Sequence, residues 1–341
     1  MGVALANFTK LKREACKASI MIEGLTGKGK SGLALMLAYG LMGGFAENPE
    51  LEGVKTIDEA KLKAWEKIFT IDTENRSLNL FIGIPTSWGG TFGQFYGTQL
   101  TSEDGYAPSN YLYLREAAIK AGAGVTISDS ITHMWTAKGG VLDKVNEIKI
   151  KNPRMDNYRV WGEPEVAAEK QALIDVIRDH RCHVITTVRV KEKFDMQYNA
   201  DKQKNEVVSI GEQQLQQEGL KYEPDLVLHM ESPGSGSVQK NPRATVIKSR
   251  YAIFTEGETY EFTPQLCEQL RQYLAEGVSI DELLEQQRQD YLIAIKNILD
   301  TNASAKTIWH VLKEEAGMKD TKLSDIPLQT LKHLYSQLIA D

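Results

Sequence analysis

Short β-branched apolar runs alternate with segments of helical periodicity from the first turns of the chain to about residue 255. Residues 18–22, 67–71, 124–128, 183–190, 226–230 and 244–247 read as buried strands. Residues 31–42 are apolar and unbroken and read as a helix, residues 57–65 have helical charge spacing, residues 111–121 read as a helix, and residues 165–180 as an amphipathic one. Strand and helix in alternation predict a mostly parallel sheet covered by helices on both faces, an α/β fold. Two stretches break the order. Residues 83–110 are rich in Gly, Ser, Thr and aromatics without any period, and residues 197–219 are polar and Gln-rich directly after a strand. Both are expected to be long functional or mobile loops.

The pattern changes after Phe262. Thr263-Pro264 is an N-cap followed by proline at the first helical position. Ser279 and Glu282 form a capping box that opens a helix to about Leu299. Further helices are expected over 305–316, stopped by Gly317, and from Pro327 to 339. The chain therefore divides into an α/β core, 1–262, and a small helical C-terminal domain or tail, 263–341.

Composition narrows the class. Of 341 residues, 42% are hydrophobic and 25% charged, as in an ordinary globular protein. The three cysteines are far apart with no Cys-x-x-Cys pair, so free thiols in a reducing cytoplasm are expected. No run of apolar residues is long enough for a membrane span, and residues 1–17 lack the apolar core of a signal peptide. Charge argues at first against a polyanionic partner, since 40 basic residues face 46 acidic ones for a net −6. Most of that excess lies in the tail, where 8 basic residues face 12 acidic ones from Leu266 onward. The core is nearly balanced, so its cations can form local basic patches.

Gly24-Leu25-Thr26-Gly27-Lys28-Gly29-Lys30-Ser31 fits G-x-x-x-x-G-K-[ST], with Gly32 next, between an expected strand and an expected helix. Glycines let successive backbone N–H groups turn inward on phosphate oxygens, and the helix N-terminus adds its positive dipole end. Lys30 is placed to reach the β- and γ-phosphates of ATP, and Ser31 to hold Mg²⁺.

A nucleotide hydrolase needs further carboxylates, one for the metal and one for the attacking water. Asp129 closes the strand 124–128 and is the candidate second metal ligand with Ser31; the alternative is a helix N-cap. Glu74, after Ile71-Asp72-Thr73, is the candidate base, with Asp72 as a supporting or capping residue. The alternative pairs Glu74 with Arg76 on the surface. Thr187, then Thr186, is the candidate sensor of the γ-phosphate, with a structural hydroxyl as the alternative. Lys248 and Arg250 end the last strand and point the same way in an extended segment. They could serve a neighbouring subunit as an arginine finger does, or be a solvated basic strand end.

In this order the motifs resemble the RecA-like P-loop ATPases over residues 18–260, and among them compact phage AAA-type nucleotide-binding proteins. Some of those are RecA-like single-strand annealing recombinases. The resemblance implies that Glu74 is the catalytic glutamate, Asp129 the Walker B acid, and Lys248 and Arg250 cations donated in trans. RecA itself has a Gln where Thr187 stands. It implies ATP and Mg²⁺ as cofactors, assembly into a ring or filament with ATP between subunits, and action on single-stranded DNA in recombination, annealing or repair. The cytoplasm expected from the cysteines and from residues 1–17 is then that of a bacterial host if the protein is phage-encoded. Two DNA-binding loops are implied at 133–163 and 191–219.

The residues of those loops suit the task. Residues 138–159 carry six basic and three acidic residues, with Lys138, Lys144, Lys149, Lys151 and Arg154 interleaved with Trp135, Tyr158 and Trp161. Residues 189–204 carry five basic and three acidic, including Arg189, Lys191 and Lys193, with Phe194 and Tyr198. Cations for phosphates and aromatics for bases are what single-strand binding uses. Ordinary charged loops over packed aromatics are the alternative. Two other functions remain open: a DnaB-like hexameric helicase or replication motor, and a nucleotide-dependent binding module that does not hydrolyse.

Overall fold

A computed structural model describes residues 12–47, 56–199, 204–216, 219–231, 240–277 and 280–339. It divides the chain into Lys17–Leu274 and a second unit made of Met1–Cys16 with Ala275–Asp341.

The larger unit opens with β1 (Ser19–Gly24), α1 (Lys30–Leu41), α2 (Ile57–Glu66), β2 (Ile68–Asp72), β3 (Tyr96–Gln99), α3 (Pro108–Lys120) and β4 (Val125–Asp129). Then come α4 (Thr132–Thr136), α5 (Val141–Lys151), α6 (Asn157–Trp161), α7 (Pro164–Arg178), β5 (His183–Asn199) and β6 (Lys204–Gln214). It ends with β7 (Leu226–Met230), β8 (Arg243–Ser249), β9 (Thr259–Glu261) and α8 (Pro264–Ala275). The sheet order is β3-β2-β4-β5-β1-β7-β8-β9, with β6 paired to β5. From β3 to β7 every neighbouring pair is parallel, and β8 and β9 return antiparallel. The expected α/β sheet is therefore present.

Strand β1 is buried along its whole length because helices cover both faces. Ile20 and Ile22 face a core shared with α1, β7, β8 and α8, while Met21 faces a second core built with α3 and α7. Alternate residues of a strand point to opposite faces, so a strand at the sheet's centre must be apolar throughout.

Two expectations about irregular segments change, and a third segment is found packed. The polar stretch after the fifth strand is no loop: β5 runs on to Asn199 and pairs antiparallel with β6, an arm that continues past the ends of β1 and β4. Backbone hydrogen bonds hold such a ribbon, so it needs no alternating apolar pattern. The implied loop 133–163 is largely helical, in α4, α5 and α6. In the glycine-rich stretch 83–110, Trp88 and Phe92 pack edge-to-face, Trp88 meets Phe45, and Phe92 contacts Phe81 and Trp65. That segment serves as an aromatic plug of the core.

Helix α8 was expected to open the tail and instead belongs with the α/β core. Its Cys267, Leu270 and Leu274 are buried in the α1-side cluster. Burying each leucine is worth about 1.5–3 kcal/mol, which outweighs the change in composition at Phe262. In the second unit, α9 (Ile280–Thr301), α10 (Ala303–Glu315) and α11 (Leu328–Leu338) close around Ile295, Trp309, Leu312, Leu331 and Leu334. Among the described residues no helix is long and apolar enough to cross a membrane. Cys16 is exposed, Cys182 and Cys267 are buried, and all three are free thiols.

Candidate functional site

Strands β1, β2 and β4 end at one edge of the sheet, where β5 runs on into its arm, and the candidate residues gather there. Register fixes this: Asp72 lies opposite Asp129, Ser128 opposite Thr186, and Ile22 opposite Thr187. In open α/β sheets this carboxyl edge is where ligands bind.

The loop from Gly24 to Ser31 follows β1 directly and gives way to α1. Gly29 has φ of 86°, a left-handed backbone that favours glycine, immediately ahead of the helix. At Gly24 a Cβ would come within 2.9 Å of the Met230 Cβ, so only glycine lets β7 approach. Lys30 is buried, and its Nζ donates to the carbonyls of Gly24 and Leu25, each at 2.9 Å. The loop thus curls around its own ammonium.

Ser31 Oγ donates to Asp129 Oδ2 at 2.6 Å, and Thr187 Oγ1 donates to Asp129 Oδ1. Strand β5 lies between β1 and β4, so Thr187 stands where it can hold the second carboxylate oxygen. Thr186 faces the other way and donates to the Ile20 carbonyl at 3.4 Å. Burial raises the Asp129 carboxyl above the ordinary aspartate value, against the hydroxyls of Ser31 and Thr187. The charges of Glu74 and Asp72 raise it further. A cation would relieve that cost. Mg²⁺ prefers hard oxygen ligands from one or two protein groups, with phosphate and water completing the shell. Ser31 and Asp129 fit that demand as a hydroxyl and carboxylate pair.

Glu74 sits on the turn after β2. Asp72 builds this turn by accepting from the N–H of Glu74 at 2.6 Å and of Leu78 at 3.0 Å, so its expected capping role is what the geometry gives it. The partner of Glu74 is Arg189: Nε donates to Oε1 at 2.6 Å and the guanidinium also meets Oε2. Arg76 turns instead to Gln99, donating from Nε at 3.1 Å. Burial alone would raise the Glu74 carboxyl, but the hydrogen bonds and charge of Arg189, with Ser130 and His133 adding to them, hold it below the ordinary glutamate value.

Further residues belong to this edge and were missed in the sequence. Thr73 Oγ1 accepts from the Ser130 N–H at 3.0 Å and lies 2.6 Å from His133 Nδ1. Tyr106 leans on the His133 ring with centroids 5.1 Å apart. The hydroxyl of Ser130 is fully buried beside Glu74, whose carboxyl it helps to hold low. Thr73 and Ser130 flank Glu74 and Asp129 directly, so their neighbours were the available signal. His133 had none.

Lys248 and Arg250 lie at the opposite edge. Strand β8 runs antiparallel to β7, which sets Ser249 beside Leu226 at the start of β7. Lys248 Nζ donates to the Tyr222 carbonyl at 2.5 Å and to that of Pro224, and Arg250 pairs with Asp225 at 2.9 Å. Neither cation reaches the phosphate loop of its own chain.

The expected nucleic-acid cations split into two groups. Lys144 pairs with Glu169 at 3.2 Å, Lys149 donates to the Met155 carbonyl, and Arg189 is engaged with Glu74. Lys138, Lys151, Arg154 and Lys191 are exposed. The side chain of Lys193, like those of Phe194 and Tyr198, lies outside the described residues. Trp135 of α4 and Trp161 of α6 stack with centroids 5.8 Å apart, Lys170 Nζ lies 5.7 Å from the Trp161 ring, and Tyr158 is 89% exposed.

Among curated proteins none matches the chain. The model of one family, described as AAA domain, matches residues 17–261. With a phosphate loop at the carboxyl edge of a mostly parallel sheet and a match over most of its length, the chain belongs to the AAA domain family of P-loop nucleotide-binding proteins.

Proposed function

We propose that the protein is a Mg²⁺-dependent ATPase whose turnover is coupled to single-stranded DNA, as a recombination or annealing factor requires. The observation that carries the ATPase reading is the convergence of Lys30, Ser31, Asp129 and Glu74 on one strand edge around the phosphate loop. Lys30 would leave its loop carbonyls to neutralise phosphate oxygens. Ser31 and Asp129 would hold Mg²⁺, which when bound supplies positive charge to the triphosphate. Glu74 would orient the water that attacks the γ-phosphate in line. Thr187 would fix the orientation of Asp129 more than sense the phosphate, since its hydroxyl is spent on that carboxylate.

The DNA reading rests on α5 and α6. Lys151, Arg154 and Arg159, on these helices and between them, are exposed, as is Tyr158, and Trp161 of α6 stacks on Trp135. Phosphates pair with such cations and bases stack on such rings, and neither contact depends on sequence. We also infer self-assembly, with Lys248 and Arg250 acting in trans; their distance from their own phosphate loop supports this over any role in cis.

A second reading has one observation in its favour. Arg189 pairs with both oxygens of Glu74 and lowers its basicity, which favours a protein that binds ATP without hydrolysing it. Phosphate release with and without single-stranded DNA separates the two. Turnover that DNA stimulates and Lys30→Ala abolishes is expected; tight ATP binding with no turnover under any condition would establish the binding module instead.

A further inference from the structure

The turn that carries Glu74 has a backbone its sequence does not favour. Asn75 and Arg76 both lie in the left-handed region, with φ of 54° and 64°. Turns with two successive positive φ values favour Asn-Gly, because asparagine tolerates the first position and glycine meets no clash at the second. Asn75 follows that preference. Arg76 stands where glycine belongs, at a cost in backbone strain.

Strain of this kind persists only where the surroundings over-determine the backbone. The turn is tied at three places. The two carboxylate oxygens of Asp72 hold the N–H groups of Glu74 and Leu78, on either side of the strained pair. On the β4 side, the N–H of Thr73 donates to the Asp129 carbonyl at 2.8 Å. On the β3 side, Arg76 Nε donates to Gln99 Oε1 at 3.1 Å, and Gln99 lies opposite Asp72 in the register of β2 and β3. The turn is thus fastened to both strands that flank β2, and the tie to β3 comes from the residue whose backbone is strained. Glycine at 76 would relax the backbone and remove that tie.

A catalytic group must be held closely, since a misplacement of about 1 Å can cost about 100-fold in rate. We propose that Arg76 and Gln99 are positioning residues for Glu74: their hydrogen bond pins the strained turn to β3 and so sets where the carboxylate stands relative to the Ser31–Asp129 pair. This rests on the ATPase reading above and adds two residues to its site. Neither is asked to touch ATP.

The test is a double-mutant cycle on the full chain at saturating ATP. Arg76→Ala and Gln99→Leu should each lower kcat about tenfold, inside the range that such a misplacement produces, with the KM for ATP unchanged. The double variant should be no slower than either single one, because both remove the same contact. Gln99→Glu keeps an acceptor at the same place and should restore the rate. Losses that multiply in the double variant, or a KM that rises while kcat holds, overturn the proposal. Arg76→Gly and Arg76→Ala both lack the hydrogen bond and differ in backbone freedom alone. The glycine variant should unfold at the higher temperature of the two and gain nothing in kcat. Equal midpoints, or a glycine variant as fast as wild type, overturn the proposal. A further measurement needs no hydrolysis. Hydrogen exchange of the peptide spanning 73–80, read by mass spectrometry, should speed severalfold in Arg76→Ala and Gln99→Leu and stay slow in Gln99→Glu. Exchange that does not respond overturns the proposal. Exchange that responds in a protein without turnover keeps the pinned turn and removes the hydrolysis reading alone.

Discussion

Ser31 and Asp129, 98 residues apart in the chain, meet at 2.6 Å across the end of the strand that separates them. A hydroxyl and a buried carboxylate at this distance supply the two protein ligands that Mg²⁺ asks for beside a triphosphate. Asp129→Asn keeps the shape and removes the charge. We expect ATP affinity to lose its dependence on Mg²⁺, weakening about 10–100-fold where the metal is present, on the scale found when a metal site loses a supporting group. Titration with a fluorescent ATP analogue, with Mg²⁺ and with a chelator, reads this directly. Equal gain from Mg²⁺ in wild type and variant would remove Asp129 from the metal site.

The placement of Arg250 sets a second expectation. Its pair with Asp225 holds it at the edge remote from its own phosphate loop, so the proposed role in hydrolysis is one on a neighbouring chain. Arg250→Ala should therefore bind ATP as wild type does and lose turnover. Mixing Arg250→Ala with Lys30→Ala should restore part of the activity, because some interfaces then hold an intact loop on one side and an intact arginine on the other. Mixtures no more active than the separate variants would assign Arg250 to its ion pair alone.

These two sites differ in how legible they were. The stretch from Gly24 to Ser31 was readable because phosphate binding demands particular residues at adjacent positions, and Gly29 shows the demand in its left-handed backbone. Asp129 and Glu74 were readable as acids ending strands. Their partners were not. Arg189 meets Glu74 across 115 residues, because the order β2-β4-β5 sets β5 one strand away from β2. No local pattern encodes that neighbourhood. The β5–β6 arm escaped for a different reason: it is held by backbone pairing, and its polar sequence carries no period.

Buried His183 makes stability depend on pH. Its Nδ1 accepts from the Ala18 N–H at 2.9 Å. Burial, with a smaller effect of the Lys17 charge, lowers its pKa from 6.5 to about 3. The unfolded chain therefore binds a proton between these values and the folded one does not. The stabilisation is complete above pH 6.5 and is lost progressively as pH falls toward 3. Between pH 7 and pH 5 the loss from this site should be roughly 2 kcal/mol. His183→Gln offers an acceptor that does not titrate in this range, so its urea midpoint should fall less over the same interval. Parallel losses in the two proteins would place the acid sensitivity elsewhere.

The last expectation concerns the end of the core. The change of composition at Phe262 suggested a boundary there, yet Cys267, Leu270 and Leu274 recur along one face of α8 and are buried against the α1 side of the sheet. A helix that only tethered a tail would tolerate a shorter side chain at 270. One that closes the core leaves a cavity when Leu270 becomes Ala, at a cost of about 2–5 kcal/mol. That cavity opens in the cluster that also contains Leu33 and Leu37 of α1, the helix that carries the phosphate loop at its start. Thermal unfolding of Leu270→Ala should therefore show a lower midpoint, and saturating ATP should raise it by as much as it raises wild type, because the loop itself is untouched. A midpoint equal to wild type would return α8 to the tail.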